Sequence, residues 1–121
     1  MLIYQPLLVV LLFSIAGCTT GHLEYLSEDG TIKTACETEY SFAPSVDKFA
    51  VEYVLAYCAK QAKSKGYKVV NQSLLTLDLT LPAPPNNLQW TFVVAKSLYQ
   101  NEKLTNKQYG YIIAFLDLQK R

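Results

Sequence analysis

Hydrophobic and polar residues are distributed along this chain in patterns that change from one segment to the next. The first segment, Leu7 to Ile15, is apolar except for Ser14. A helix that crosses a bilayer needs about 20 mostly apolar residues, whereas the apolar core of a secretory signal needs about 7–15. The length of this run, and the small residues that follow it, predict a signal peptide over residues 1–17.

Two later segments alternate between apolar and polar residues, as half-buried β-strands do. In residues 31–42 the inner face carries β-forming side chains that include Cys36. In residues 67–81 leucines occupy every second position from Leu75 to Leu81. We therefore predict that these two regions form an antiparallel sheet. The charges expected on the outer face of the first strand are Lys33, Glu37 and Glu39.

A long helix is predicted between these strands, over residues 45–65. Pro44 is typical of a first helical turn, and Gly66 is typical of a helix end. The apolar arc of the helix is wide and includes Cys58. The helix can therefore bring Cys58 opposite Cys36 on the first strand.

After the proline-rich stretch LPAPPNN, the apolar residues return to helical spacing. They predict a helical hairpin over residues 86–118. Its first helix is predicted to begin at Asn86, with Gln89 as the capping partner, and its second at Thr105, with Gln108 as the partner. The predicted apolar face of the first helix consists of Trp90, Val93, Val94, Ser97 and Leu98.

The predicted fold is α+β: a small antiparallel sheet packed on one long helix, with a C-terminal two-helix hairpin. Residues 31–121 are predicted to form a single domain. Residues 31–81 are its β-α-β half, and residues 86–118 are the hairpin. The mostly polar residues 18–30 are predicted to be a tether.

The residues around Cys18 predict where the protein resides. Ile15-Ala16-Gly17-Cys18 resembles the lipobox of bacterial lipoproteins. The resemblance implies that Cys18 is acylated and that the signal is removed, which attaches the protein to a membrane of the bacterial cell envelope. Thr19 follows the cysteine in place of Asp, which resembles an outer-membrane lipoprotein facing the periplasm. The n-region MLIYQP departs from the pattern because it contains no Lys or Arg. An uncleaved membrane anchor and a buried apolar strand are the alternatives.

The two other cysteines form an even pair. In an oxidising periplasm, Cys36 and Cys58 are predicted to form a disulfide. The alternative is that both are buried free thiols, which behave as small core residues.

The segment LYQNEKLTNKQYGYIIAFLDL, residues 98–118, resembles the short C-terminal helical hairpin called the SHOCT module. Leu104, Thr105, Gln108 and Tyr109 match the step between its helices, and Glu102 stands where that family usually has a turn glycine. The resemblance implies a hairpin used for oligomerisation or protein contacts. The alternative is an ordinary hairpin packed on the sheet.

Aromatic residues on the hairpin are the candidates for a protein interface, because Tyr and Trp are enriched at interfaces. The interface residues predicted on this basis are Trp90, Tyr99, Tyr109 and Tyr111. The alternative is that these tyrosines lie at the edge of the core.

Catalytic chemistry has few candidates. The only histidine, His22, lies in the predicted tether, and the cysteine and histidine spacing does not match a zinc site. Glu37 with Glu39, or Asp78, could supply the carboxylate pair of a glycoside hydrolase. Outward charges on a strand are more often solvated surface. No catalytic residue, metal ligand or cofactor is predicted.

Composition and these motifs leave three function classes. The formal net charge is +1, from 11 basic and 10 acidic residues, so no basic patch for nucleic acid is predicted. The first class is a non-enzymatic lipoprotein that binds or assists another envelope protein. The second is a disulfide-containing envelope-stress sensor or inhibitor. The third is a periplasmic hydrolase.

Overall fold

The computed structural model describes residues 18–121. The predicted signal peptide, and with it Ile15, Ala16 and Gly17 of the lipobox, lies outside the described residues. The elements are β1 (Thr19–Leu26), β2 (Ile32–Tyr40), α1 (Pro44–Ser64), β3 (Lys68–Val69), 3-10 turns at Gln72–Thr76 and Pro85–Asn87, α2 (Phe92–Gln100) and α3 (Asn106–Gln119). They form the predicted α+β fold, with an antiparallel sheet, a long helix and a C-terminal helix pair.

The sheet has three antiparallel strands in the order β2-β1-β3. The β1–β2 pairing runs from Thr19 opposite Tyr40 to the turn between the strands, and it is interrupted by a bulge at Ala35. A bulge inserts one residue and shifts the alternation of side chains beyond it. Lys33 therefore pairs with Tyr25 on the face opposite that of Glu37, contrary to the prediction that the two share a face.

The prediction that residues 18–30 form a tether is wrong. Residues 19–26 form β1, the central strand of the sheet, and Leu23 is among the most deeply buried side chains in the described chain. The sequence signal is weak because Gly21 occupies an inward position without a side chain. The outward positions of β1 carry polar residues such as His22 and Glu24, so an alternating apolar pattern is hard to recognise.

The predicted strand over residues 67–81 is mostly wrong. Only Lys68 and Val69 pair with β1. The leucines of the segment are half-buried or buried while Thr76, Asp78 and Thr80 are exposed, so the predicted inward and outward faces are correct. After Val70, whose N–H bonds the Glu24 carbonyl, the backbone leaves the edge of β1 and turns into the 3-10 segment Gln72–Thr76, where Leu74 packs on α1.

The predicted long helix is confirmed as α1, and it is covered on two sides. Its residues contact β1 and β2 on one side and α3 on the other. A Cβ atom added at Gly21 in β1 would lie 2.5 Å from Val51 Cγ1, and one added at Gly110 in α3 would lie 2.7 Å from the Val46 carbonyl oxygen. Two glycines therefore allow α1 to be approached closely from both sides. Ala59 is fully buried in a separate cluster with Leu23, Val69 and Leu74, so the segment that follows α1 covers a further side of the helix.

The predicted cap of α3 is confirmed. Thr105 Oγ1 accepts a hydrogen bond from the Gln108 backbone N–H at 3.1 Å, and Gln108 Oε1 accepts one from the Thr105 N–H at 2.9 Å. The reciprocal pair is a capping box, which satisfies two backbone donors that a helix start leaves free.

The predicted cap of α2 is wrong. Asn86 has a left-handed φ of 53° and lies in the second 3-10 turn, and α2 begins after Thr91, whose hydroxyl accepts from the Val94 N–H. The later start shifts the buried face of this short helix. Ala95 is fully buried against α3, whereas Val93 is 79% exposed.

Helices α1 and α2 end in the same backbone motif. After α1, the N–H of Tyr67 bonds the carbonyl of Ala62, and Gly66 takes a left-handed φ of 87°. After α2, the N–H of Lys103 bonds the carbonyl of Leu98, and Glu102 takes the left-handed position with a φ of 59°. Both are Schellman motifs, in which glycine is the preferred left-handed residue.

Replacing Glu102 by Gly should therefore stabilise the protein. A left-handed conformation costs a residue with a Cβ atom about 1–2 kcal/mol, and the flexibility of glycine in the unfolded chain offsets about 0.4–1 kcal/mol of that gain. We expect the free energy of unfolding, measured by denaturant titration, to rise by roughly 0.5–1 kcal/mol.

Two control variants separate the contributions. Gly66→Ala should lower the free energy of unfolding by a similar amount because it makes the reverse change in the matching motif. Glu102→Gln removes only the charge and should have a smaller effect than Glu102→Gly. A Glu102→Gly protein less stable than the native chain would contradict this assignment.

Candidate functional site

Cys18 is exposed and lies directly before the first residue of β1. Thr19, the next residue, already pairs with Tyr40 of β2. The neighbouring Glu39 carboxylate raises the pKa of the Cys18 thiol above its usual value. The predicted lipidation residue is therefore mounted on the central strand of the sheet, without an intervening tether.

The loop after β2 lies at the same end of the domain. Asp47, in the first turn of α1, is buried, and its Oδ1 atom accepts from the N–H groups of Phe42 at 2.9 Å and Ala43 at 3.2 Å. Its charge also acts on the Cys18 thiol. We call Cys18 and the loop 41–43 the Cys18 end. The Phe42 side chain at this end is 65% exposed.

Tyr40 connects the Cys18 end to the C-terminus of α3. Its ring is buried and faces that of Phe42, with ring centres 6.5 Å apart. Its hydroxyl donates to Asp117 Oδ2 at 2.9 Å, and burial followed by this bond raises the pKa of Tyr40. Arg121 also donates to Asp117 Oδ2, so strand β2 and helix α3 meet at one carboxylate.

The predicted disulfide is present. Cys36 on β2 and Cys58 on α1 are bonded, with their Cα atoms 6.2 Å apart, within the range of about 4.4–6.8 Å that disulfides span. The bond links the edge strand to the side of α1 that faces the sheet. A cleft of about 230 Å³ opens beside it, and Tyr25, Thr34 and Tyr67 line the cleft together with Cys58.

The structure distributes the four predicted interface residues over different environments. Tyr111 is only 3% exposed, its ring packs on Tyr53, and its hydroxyl donates to Glu52 Oε2 at 2.8 Å. Burial, followed by this hydrogen bond, raises the pKa of Tyr111. Tyr111 is therefore a core residue that links α3 to α1, and its prediction as an interface residue is wrong.

The other three candidates are half-buried. Tyr99 and Tyr109 stack with ring centres 4.3 Å apart, and the Tyr99 hydroxyl donates to Asn106. Trp90 Nε1 donates to the Pro82 carbonyl at 2.8 Å, and its ring packs on the cluster around Ala95. Each keeps part of its surface open to solvent, so their role in an interface stays a prediction.

The segment 88–93 exposes apolar side chains that the sequence pattern did not identify as surface. The exposed residues are Leu88, Phe92 and Val93. The Lys120 ammonium lies 4.6 Å from the centre of the Phe92 ring. Helical periodicity predicted Val93 to be buried, and only the start of α2 at Thr91 shows that it faces outward.

Polar residues on the outer face of the sheet are the remaining candidates for chemistry. His22 lies opposite Glu37 in the β1–β2 pairing, and its Nε2 atom is 3.3 Å from Glu24 Oε1. An open groove of about 550 Å³ is lined by His22, Glu37, Glu39 and Arg121. These side chains are exposed, whereas reacting groups in enzymes usually lie in concave, largely apolar sites.

Asp78, the other predicted carboxylate, is exposed and lies in the segment after α1, outside the lining of this groove. Bonds from Thr80 hold its pKa below the usual value. Among residues 18–121, no group of three or more His, Cys, Asp or Glu side chains is arranged to hold a metal ion.

Comparisons with known proteins return no match: no family model, no curated protein and no solved structure is similar to this chain. Within the described part of the chain, no helix combines the length and apolar character needed to cross a bilayer.

Replacing both Cys36 and Cys58 by alanine should destabilise the fold. The bond joins residues 22 positions apart, and closing a loop of this length restricts the unfolded chain enough to contribute about 3 kcal/mol. We expect a loss of about this size in the free energy of unfolding, measured by denaturant titration.

Reduction of the native chain with excess dithiol is the matched control. It should lower the stability of the native protein to a similar extent and leave the double variant unchanged. A double variant as stable as the oxidised native chain would contradict a stabilising role for the bond.

Proposed function

We propose that this chain is a lipid-anchored protein of the bacterial cell envelope that binds or assists another envelope protein without catalysing a reaction. The observation that carries the proposal is the position of Cys18. It follows Ile15-Ala16-Gly17 in the sequence, it is exposed, and the folded domain begins at the next residue. Several acyl chains on one cysteine give firm attachment, whereas a single chain gives only marginal binding.

Partner binding is assigned to the C-terminal hairpin, here residues 88–119, which comprise α2, α3 and the four residues before α2. Leu88, Phe92 and Val93 leave apolar surface exposed, and exposed apolar surface of this kind is typical of sites that bind proteins. The half-buried rings of Trp90 and Tyr99 add aromatic surface on the same hairpin. The resemblance of this hairpin to a protein-contact module supports the same role.

Thr19 after the cysteine supports placement in the outer membrane, facing the periplasm. An oxidising periplasm is also a compartment in which the Cys36–Cys58 disulfide would persist. The proposed location in the periplasm is therefore consistent with the disulfide.

The second candidate is a redox-responsive envelope-stress sensor or inhibitor. The cleft beside Cys58 favours it, because the cleft gives solvent a route toward the disulfide. Structural disulfides have reduction potentials below about −300 mV, whereas regulatory ones are less negative. We rank a hydrolase third, since the carboxylates of the outer sheet face are exposed.

The intact mass of the protein extracted from membranes tests the proposal, after alkylation without reduction. We expect the mass of residues 18–121 plus acyl chains, with no alkyl group added. The acyl chains would occupy the Cys18 thiol, and the disulfide would block Cys36 and Cys58.

The control is Cys18→Ser, which keeps the fold at an exposed position but removes the acceptor for the lipid. This variant should retain its first 17 residues and carry no acyl chain. A native chain that is itself uncleaved and unacylated would contradict lipid anchoring.

A further inference from the structure

We propose that the exposed ring of Phe42 inserts into the bilayer beside the acyl chains of Cys18, so that the Cys18 end is a second membrane contact. The occupant of this surface is a lipid bilayer. The inference rests on the proposed function, and it adds a defined orientation of the domain on the membrane.

The first argument is the absence of a spacer in the described chain. Adjacent Cα atoms are about 3.8 Å apart, so Thr19 lies within one residue of the cysteine that carries the acyl chains. Thr19 is paired with Tyr40 in the sheet. A domain on a long flexible tether could turn any side toward the membrane. This domain must hold the start of β1 and the end of β2 at the membrane surface.

The second argument is that Phe42 lies at this end and is held there. It is two residues beyond Tyr40, and its backbone N–H bonds the buried carboxylate of Asp47, whose charge also acts on the Cys18 thiol. Its side chain is 65% exposed to solvent. The loop therefore presents a fixed aromatic ring beside the attachment point, where insertion requires little ordering of the backbone.

The third argument is the chemistry of the surrounding side chains. Aromatic and basic residues are enriched where proteins meet the membrane interface. Two exposed basic residues, Lys48 and Arg121, lie close to this end. Lys48 follows Asp47 in the chain. Arg121 donates to the same Asp117 carboxylate that accepts from Tyr40. The negative charge of Glu39 repels anionic headgroups. The contact proposed is therefore insertion of the apolar ring and not recognition of a charged lipid.

Ile32 provides a matched control at the opposite end of β2. It is 62% exposed, close to the value for Phe42, and the nine-residue strand places it roughly 25 Å from Tyr40. A side chain at this distance from the anchor cannot reach the acyl region when the Cys18 end faces the bilayer.

The test uses the full lipidated chain in phosphatidylcholine vesicles with brominated acyl chains, which quench tryptophan emission on contact. Trp90 is the only tryptophan, so Trp90→Phe gives a background into which Phe42→Trp or Ile32→Trp is introduced. Interfacial side chains lie about 5–10 Å into the boundary with the acyl chains, so we expect roughly twofold quenching for Phe42→Trp and little for Ile32→Trp. If Trp90→Phe does not fold, the same two substitutions in the native chain give the comparison, because Trp90 contributes equally to both.

Intact mass measured on the same samples separates the two proposals. An acylated chain in which Phe42→Trp is quenched no more than Ile32→Trp would overturn the membrane contact and leave lipid anchoring intact. An unacylated chain with selective quenching of Phe42→Trp would uphold the contact and overturn lipidation. An acylated chain with selective quenching is the result we expect.

Discussion

The position of α1 between the sheet and α3 is the constraint on which the rest of this structure depends. The helix is approached at contact distance from both sides, at Gly21 of β1 and at Gly110 of α3. Because these residues have no side chain, the main chains of three elements come close together. The core of a small domain is thereby built around one helix, and the disulfide from Cys58 fixes β2 on the same side as β1.

This arrangement joins the core to the proposed site of membrane attachment. β1 packs against α1 at Gly21, and it is also the first segment of the described chain, beginning one residue after Cys18. Acyl chains on Cys18 would therefore be joined to the sheet through a single peptide bond. The loop held by Asp47 then has a fixed place relative to the anchor, and so does the Phe42 ring.

The parts of the fold with strong local signals could be predicted from the sequence. The proline and glycine at the ends of α1 and the capping box of Thr105 and Gln108 act within a few residues, and each is present in the structure. β1 could not be predicted, because its burial depends on a glycine contact with a distant helix. The leucines before Pro82 alternate correctly, but the chain leaves the sheet after β3 and forms the 3-10 turn Gln72–Thr76, so they pack on α1 without strand pairing. The exposure of Val93 and the burial of Tyr111 depend on how α2 and α3 pack, which helical spacing alone does not determine.

The stability of Gly110→Ala tests the central constraint most directly. Alanine is a better helix former than glycine by about 1 kcal/mol, so an unconstrained helical site would gain stability. Here the added Cβ would lie 2.7 Å from the Val46 carbonyl oxygen and 3.1 Å from the Ala50 nitrogen, main-chain atoms that cannot move without shifting α1. We predict a loss of about 1–3 kcal/mol in the free energy of unfolding, as overpacked cores show. A Gly110→Ala protein at least as stable as the native chain would contradict the close approach of α3 to α1.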